Sequence, residues 1–442
     1  MTAHQYADDG ELANVLNMDP SVWFNERGGL VVARLGQSIR DYGRLRTGHD
    51  GLIYRFVDGV YRADGDSWAR AQVRELLGEK VKRVYFDEVL AWLRSFPATV
   101  TDHQPERLIN VANGLLDWHT GQLHHHDPDV ISTVQLPVPW LPDSECPAIE
   151  RFLSDVLPDQ ATVALILEIV GYVIYAGNPL RRAVLFLGPG CNGKSVLLGV
   201  LRKVVGETNV VSVPLQVLSE NRFAAAQLFG KLANISGDLD ARAIKTTDVF
   251  KMVTGGDPIH AEHKYGKQFD FRPFATFVFA ANEAPISSDQ SSAWFERWVV
   301  VPFDRVIPTE KVDPHLLAKL TTPDELAGLL VRAVDGLRRL MERGRFDLSA
   351  PVESAGERYR DRLDTVRGFV AEECVIHPES WVPKPDLYRA YKTWCQEGSR
   401  YPVSAATFAD HLRGGYAMRV DERIRRGTRG WGGIGVAATE ET

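Results

Sequence analysis

An α/β fold with a largely parallel sheet is what this sequence predicts, on three observations. Four apolar runs, Val184 to Leu187, Leu232 to Ile235, Thr276 to Ala281 and Val299 to Val301, alternate with polar connectors. Near-continuous apolar strands are what a parallel sheet covered on both faces requires. The first run leads through a glycine-rich turn into a helical stretch, Val196 to Val205. From Pro314 to Gly344 apolar residues such as Leu326, Leu330, Ala333, Leu337 and Leu340 recur at helix spacing, which predicts a helix packed beside the sheet.

The turn itself is Gly188, Pro189, Gly190, Cys191, Asn192, Gly193, Lys194 and Ser195, which fits G-x-x-x-x-G-K-[ST] between a strand and a helix. In that setting the glycines let backbone N–H groups point at a triphosphate. Lys194 reaches its β and γ oxygens, and the Ser195 hydroxyl can ligate Mg²⁺ at a helix N-terminus whose dipole favours anions. With Val196, which opens the helix, these residues form the expected nucleotide-binding set of a P-loop NTPase core. Cys191 reads as a small tolerated residue.

What the nucleotide drives depends on the polar positions downstream. The run Leu232 to Asp240 delivers carboxylates at a strand end, where Asp238 first and Asp240 second are placed to hold Mg²⁺ and polarise the attacking water. The other reading of both is a pair of turn acids. The run Thr276 to Ala281 ends in Asn282, a neutral amide placed to sense the γ-phosphate. The spacing is even, 238 − 194 = 44 and 282 − 238 = 44, as one strand-helix unit between successive strand ends requires. Arg297, between aromatics ahead of the last strand, is either a finger reaching a neighbouring subunit's γ-phosphate or a stacked structural arginine. Between the second and third strands, Gly255 to Phe271 alternates about a Tyr-Gly centre and predicts a hairpin. Its tip carries His263, Lys264, Tyr265 and Lys267, the ingredients for gripping a single strand of DNA or simply of a solvated turn.

The remaining text bounds the reading. At 442 residues and 44% hydrophobic content the chain is long enough for several cored domains. Its formal net charge of −7 is not the footprint of a general nucleic-acid binder, so any DNA contact is local. The apolar stretch Ala161 to Ala176 is interrupted by Glu168 and is shorter than a bilayer span, and Met1 to Glu11 has no apolar signal core. The four cysteines are far apart, without zinc or disulfide spacing, which suits a reducing cytoplasm. His124, His125 and His126 are adjacent in sequence and read as a solvent-facing turn rather than a metal site. Near the C-terminus, Ser404 to Leu412 and Arg423 to Trp431 read either as a recognition helix and wing touching phosphates or as a basic hairpin with another use.

Taken in order, GPGCNGKS, NISGDLD, GGDPI with HKYGK, and FAANEAP resemble the A, B, B′ and C motifs of superfamily-three helicases of the phage/plasmid primase-helicase family, related to the poxvirus primase-helicase. NGLLDWHTGQL, LEIVGYVIY and DELAGLLVRAVDGLRRL extend the resemblance over roughly residues 105 to 345. It implies an AAA+-like hexameric ring that hydrolyses ATP with Mg²⁺ while hairpins in its channel grip DNA. It also implies catalytic roles for Lys194, Ser195, Asp238, Asn282 and Arg297, and channel roles for Lys264 and Lys267. The expected layout is a mixed α/β N-terminal domain (1–142), a helical collar (143–178), the P-loop core with a helical lid (179–346) and a winged-helix-like DNA-binding domain (352–442). The expected function is a replication helicase of a phage or mobile element, working in the bacterial cytoplasm beside other replication proteins. No paired primase acids stand out before residue 105, so priming is not expected. Two alternatives stay open: an ATPase that remodels a replication complex without unwinding, and an origin-binding protein that uses ATP as a switch.

Overall fold

The computed structural model of the chain describes residues 19–239, 244, 247–262, 268–287, 289, 291–398, 400, 402–416 and 419–437. Asp240, His263, Lys264, Tyr265 and Lys267 lie outside the described residues. The first block opens with three amphipathic helices, α1 (Val32–Tyr42), α2 (Gly65–Leu77) and α3 (Arg83–Arg94). Their apolar faces meet around Leu35, Ile39, Val73, Leu77, Val89 and Leu93. Between and after them run β1 (Arg46–Gly48), β2 (Ile53–Val57), β3 (Val60–Arg62) and β4 (Ala98–Val100), in the sheet order β3-β2-β1-β4. Asp58 and Gly59, at φ of +50° and +84°, turn β2 into β3 as the two left-handed central residues of a tight hairpin.

A three-stranded antiparallel meander follows, β5 (Leu108–Val111), β6 (Gly114–Asp117) and β7 (Leu123–His124). His124 and His125 face solvent as expected, but His126 turns inward, its Nε2 3.1 Å from Asn110 Oδ1 and 3.0 Å from the Val111 carbonyl oxygen. It anchors the end of the meander, and no cluster of metal-ligating side chains forms among the described residues.

Two helices lead into the core, α4 (Pro147–Val156) and α5 (Gln160–Ile174), the second capped by Asp159, whose Oδ1 accepts from Thr162 N at 2.7 Å. The core then runs β8 (Ala183–Leu187), α6 (Lys194–Val205), β9 (Val210–Val211), α7 (Leu215–Glu220), α8 (Arg222–Ala226), β10 (Ala233–Ser236) and α9 (Asp248–Gly255). It continues with β11 (Ile259–Glu262), β12 (Gln268–Phe271), β13 (Thr276–Ala281), α10 (Ser292–Phe295) and β14 (Trp298–Pro302). Five strands form one sheet in the order β14-β8-β13-β10-β9, every neighbouring pair parallel. The four expected strands, β14, β8, β13 and β10, stand side by side in it, with β14 at one edge. The edge strand β9 was not expected, because two residues carry no readable period, and it makes the stretch between Lys194 and Asp238 more than one strand-helix unit.

Both faces of this sheet are buried, which is why its strands read as unbroken apolar runs. Val184, Phe186, Val278, Ala280, Val299 and Val301 face the helical layer that contains α5 and α6. Leu185, Phe277, Phe279 and Val300 face Phe250 of α9 and Trp294 of α10. β11 and β12 pair antiparallel outside the main sheet, Ile259 opposite Phe271 and Glu262 opposite Gln268, as the expected hairpin does on both sides of its tip.

The helical stretch after the sheet is broken into α11 (Leu316–Leu320) and α12 (Pro323–Arg343), because Pro323 at the first turn and Thr322 before it start a new helix. Rather than lying directly on the sheet, α12 packs along α5 at backbone contact. A Cβ on Gly171 would stand 2.3 Å from the Ala333 carbonyl oxygen, and one on Gly336 would stand 2.6 Å from that of Leu167. Glu168, the acid that interrupts the apolar run of α5, is buried and accepts from Arg343 Nη2 at 2.6 Å. None of the described helices is long and apolar enough to cross a membrane.

Beyond it, α13 (Ala350–Leu363) lies against β14, with Tyr359 donating to the Pro285 carbonyl oxygen at 3.1 Å. The last block is α14 (Thr365–Glu373), β15 (Cys374–Pro383), α15 (Lys384–Glu397), α16 (Ala405–Tyr416), β16 (Asp421–Arg425) and β17 (Thr428–Val436). Its antiparallel sheet has the order β15-β17-β16 and closes over Phe369, Leu387, Tyr391, Phe408 and Trp431. The stretch read either as a wing or as a basic hairpin with another use forms the β16–β17 hairpin, turned by Arg426 and Gly427 at φ of +48° and +81°.

Candidate functional site

Parallel strands deliver their C-terminal ends to one edge of the sheet, and three of those ends build the site. β8 passes into the loop at Gly188, where a Cβ would stand 2.2 Å from the Phe303 carbonyl oxygen, so close approach of two backbones demands glycine there. Gly193 takes φ +89° and starts α6, while Cys191 holds φ +55° on the exposed side of the loop. Asn192 is buried and ties the loop to the end of β14, its Nδ2 donating to the Phe303 carbonyl oxygen at 2.8 Å.

Lys194 is only 6% exposed, and its ammonium points back into the loop. Nζ donates to the carbonyl oxygens of Gly188 at 2.6 Å and Pro189 at 2.9 Å, and to Asn192 Oδ1 at 3.0 Å. Asn282 Oδ1 lies 3.5 Å away. Every one of these partners is a neutral oxygen, and burial pushes the Lys194 pKa down. A half-shielded cation held only by dipoles is a site that an anion stabilises.

Asn282 stands directly after β13, beside the loop because β13 pairs with β8. Asp238 is exposed two residues past the end of β10, the next strand outward. Gly190 to Val196, Asp238 and Asn282 line a single cavity of about 430 Å³. Within it the exposed hydroxyl of Ser195 and the Asp238 carboxylate supply hard oxygen donors of the kind Mg²⁺ prefers. Gly188 and Pro189 are not among its lining residues, and their carbonyls hold Lys194 instead.

One wall was missed in the sequence. Ile307, Lys311, Val312, Asp313 and Leu316 close the cavity from the chain that runs from β14 to the first residue of α11. Ile307 N donates to the Cys191 carbonyl oxygen at 2.7 Å and pins this segment over the loop. It carries no motif, and only the folded path of the chain shows its place.

Arg297 is elsewhere. It precedes β14, at the edge of the sheet opposite the loop, and its carbonyl oxygen accepts from Ala183 N at 2.7 Å. Its Nε donates to Thr254 Oγ1 at 2.8 Å, its Nη1 to the Ala293 carbonyl oxygen, and burial and the nearby Arg181 push its pKa down. Within its own chain it does not reach the cavity.

Against this geometry the chain can be compared with known proteins. Residues 39–158 match the family described as D5 N terminal like, and residues 186–297 match a family of unknown function, DUF5906. The second match runs from inside β8 to Arg297, and the first reaches upstream of residue 105, where the resemblance in the motifs begins. A protein of Invertebrate iridescent virus 3 named "Putative helicase 121R" is 22% identical over 315 residues, 63% of this chain and 33% of its own length. "Putative helicase 022R" of Frog virus 3 is 25% identical, covering 56% of this chain and 28% of its own. "Putative primase C962R" of African swine fever virus, strain Badajoz 1971, is 26% identical, covering 70% of this chain and 35% of its own. The chain thus spans about a third of the length of the curated relatives it matches. In three dimensions it is similar to the apo C terminal region of NrS-1, at a TM-score of 0.52 and 14% identity over 91% of this chain and 99% of that one. The D5 N terminal like segment and the viral relatives support a phage-type primase-helicase family for this chain, and the NrS-1 region shares its fold.

Proposed function

We propose that the chain is an ATP-dependent, ring-forming DNA helicase that acts in replication of a phage or mobile element. The observation that carries this reading is the convergence of Lys194, Ser195, Asp238 and Asn282, from three strand ends, on one cavity at the C-terminal edge of a five-stranded parallel sheet. The viral relatives named as helicases and primases support the setting.

In this reading the β and γ oxygens of ATP replace the carbonyl oxygens that now hold Lys194 Nζ, and the loop N–H groups from Gly190 to Val196 cradle the chain of phosphates. Ser195 and Asp238 would hold Mg²⁺, which would supply positive charge against the phosphate oxygens. Asp238 positions the attacking water and draws on its proton. Asn282 bonds the γ-phosphate and reports its loss to β13. Arg297, on the far edge of its own sheet, serves the cavity of the next subunit in a ring. The tip residues His263, Lys264, Tyr265 and Lys267 contact the threaded strand, and the C-terminal block touches duplex DNA.

Lys194→Ala tests the nucleotide assignment. Removing the ammonium is expected to lower ATP turnover by about 100-fold or more, the scale of losing one preorganised transition-state donor, with the circular dichroism spectrum unchanged. Turnover within a few-fold of the parent overturns the assignment.

A further inference from the structure

A second cleft, of about 610 Å³, opens between the first block and the core. It lies at the N-terminal ends of β9 and β10, the edge of the sheet opposite the phosphate loop, and reaches Glu262, the last residue of β11. Tyr54, Tyr61 and Arg62 form one wall; Phe223, Phe229 and Lys231 form the other. Phe229 also fixes the hairpin, its ring meeting those of Phe269 and Phe271 edge-on at 5.4 Å and 5.2 Å.

Two cations, Arg62 and Lys231, line this cleft, one from each block, and neither is held in a salt bridge among the described residues. Lys231 Nζ donates to the Thr208 carbonyl oxygen at 2.5 Å, and among the described residues it meets no carboxylate. Burial alone pushes its pKa down, with no acid to raise it. Arg62 is exposed, and it makes no ion pair or side-chain hydrogen bond among the described residues. The two acids that line the cleft are engaged locally. Asp50 accepts from the Tyr54 hydroxyl at 2.8 Å and from Leu52 N at 3.0 Å, and Glu262 accepts from Gln268 Nε2 at 3.3 Å. A partly desolvated ammonium and an exposed guanidinium in one cleft, with aromatic rings in its lining, suit a phosphate carrying a stackable base.

We propose that this cleft is a nucleotide-binding groove separate from the ATP cavity, in which Arg62 and Lys231 hold a phosphate of single-stranded DNA while a base lies against the Phe223 and Phe229 wall. The source of that strand rests on the helicase reading: the cleft begins at the foot of the hairpin, so a strand gripped at the tip has a path along it. The first block then takes part in holding DNA.

The full-length chain with a fluorescein-labelled oligothymidylate, measured by anisotropy without ATP, tests the groove. Arg62→Ala and Lys231→Gln are each expected to weaken binding severalfold and to lower the log–log salt slope by about 0.7, one phosphate contact apiece. Lys231→Arg, which keeps the charge, is expected to bind like the parent. Basal ATP hydrolysis stays at the parent's level, since neither residue lines the ATP cavity. Arg62 is exposed, so Arg62→Ala carries the test even where a Lys231 variant folds poorly. Unchanged affinity and slope in Arg62→Ala overturn the proposal. So does a loss confined to inorganic phosphate binding, read by calorimetry, with oligothymidylate affinity intact, because that marks a site for a free phosphate. A parent that hydrolyses no ATP refutes the helicase reading, and the anisotropy still reads the groove.

Discussion

At the residue scale, the site rests on a few side chains whose positions follow from strand ends. Lys194 and Asn282 were legible because a glycine-rich pattern and an amide after an apolar strand have a mechanical reason to sit where they do. Their folded positions, 3.5 Å apart between Nζ and Oδ1, follow from β8 and β13 pairing as neighbours, which no single segment announces. Asp238 and Asp240 are harder to rank from sequence, since two carboxylates two positions apart share a face of an extended chain and alternation does not choose between them. Asp238 lines the cavity, and Asp240 lies outside the described residues. Asp238→Asn is therefore expected to keep ATP affinity, measured with a fluorescent analogue, and to lose hydrolysis on the order of 10²–10⁴-fold. The same loss from Asp240→Asn, with Asp238→Asn active, reverses the assignment. Arg297 shows the limit of motif order: its place after the sensor strand was readable, but its position on the far edge of the sheet emerges only from parallel pairing with β8.

At the element scale, apolar period was a good guide where both faces of an element are buried, as in β8, β13 and β14, and a poor one where elements are short or meet edge to edge. β9, with two residues, left no trace. The partner of α12 was also hidden, because what selects α5 is a pair of glycines rather than a stripe of leucines. At Gly171 and Gly336 the two helix backbones touch. Gly336→Ala weighs two effects against each other. Helix propensity favours alanine by about 1 kcal/mol, while a Cβ placed 2.6 Å from the Leu167 carbonyl oxygen forces the helices apart, a kind of overpacking that costs about 1–3 kcal/mol. The clash is with backbone, which cannot rotate away, so a net loss of stability is expected as a lower Tm. A higher Tm, the outcome that propensity alone demands, contradicts the close packing.

At the scale of the whole molecule, a core built on a five-stranded parallel sheet, a first block that matches the D5 N terminal like family, and a small C-terminal sheet make up the fold, and the phosphate-loop cavity and the second cleft lie at opposite edges of the central sheet. Arg297 and the cavity of its own chain lie on opposite edges too, so a finger role requires a neighbour. Mixing Arg297→Ala subunits with Lys194→Ala subunits is expected to restore part of the ATPase, because some interfaces then pair an intact loop with an intact arginine. Mixed rings with no recovery at any ratio make Arg297 structural, in keeping with its bonds to Thr254 and Ala293. The most direct measurement of the central claim is unwinding of a forked DNA duplex alongside ATP turnover in the same sample. The account predicts strand separation that requires hydrolysable ATP, turnover that rises with single-stranded DNA, and loss of both in Lys194→Ala. DNA-independent turnover with the fork left intact would contradict it and favour an ATPase that remodels a replication complex without unwinding.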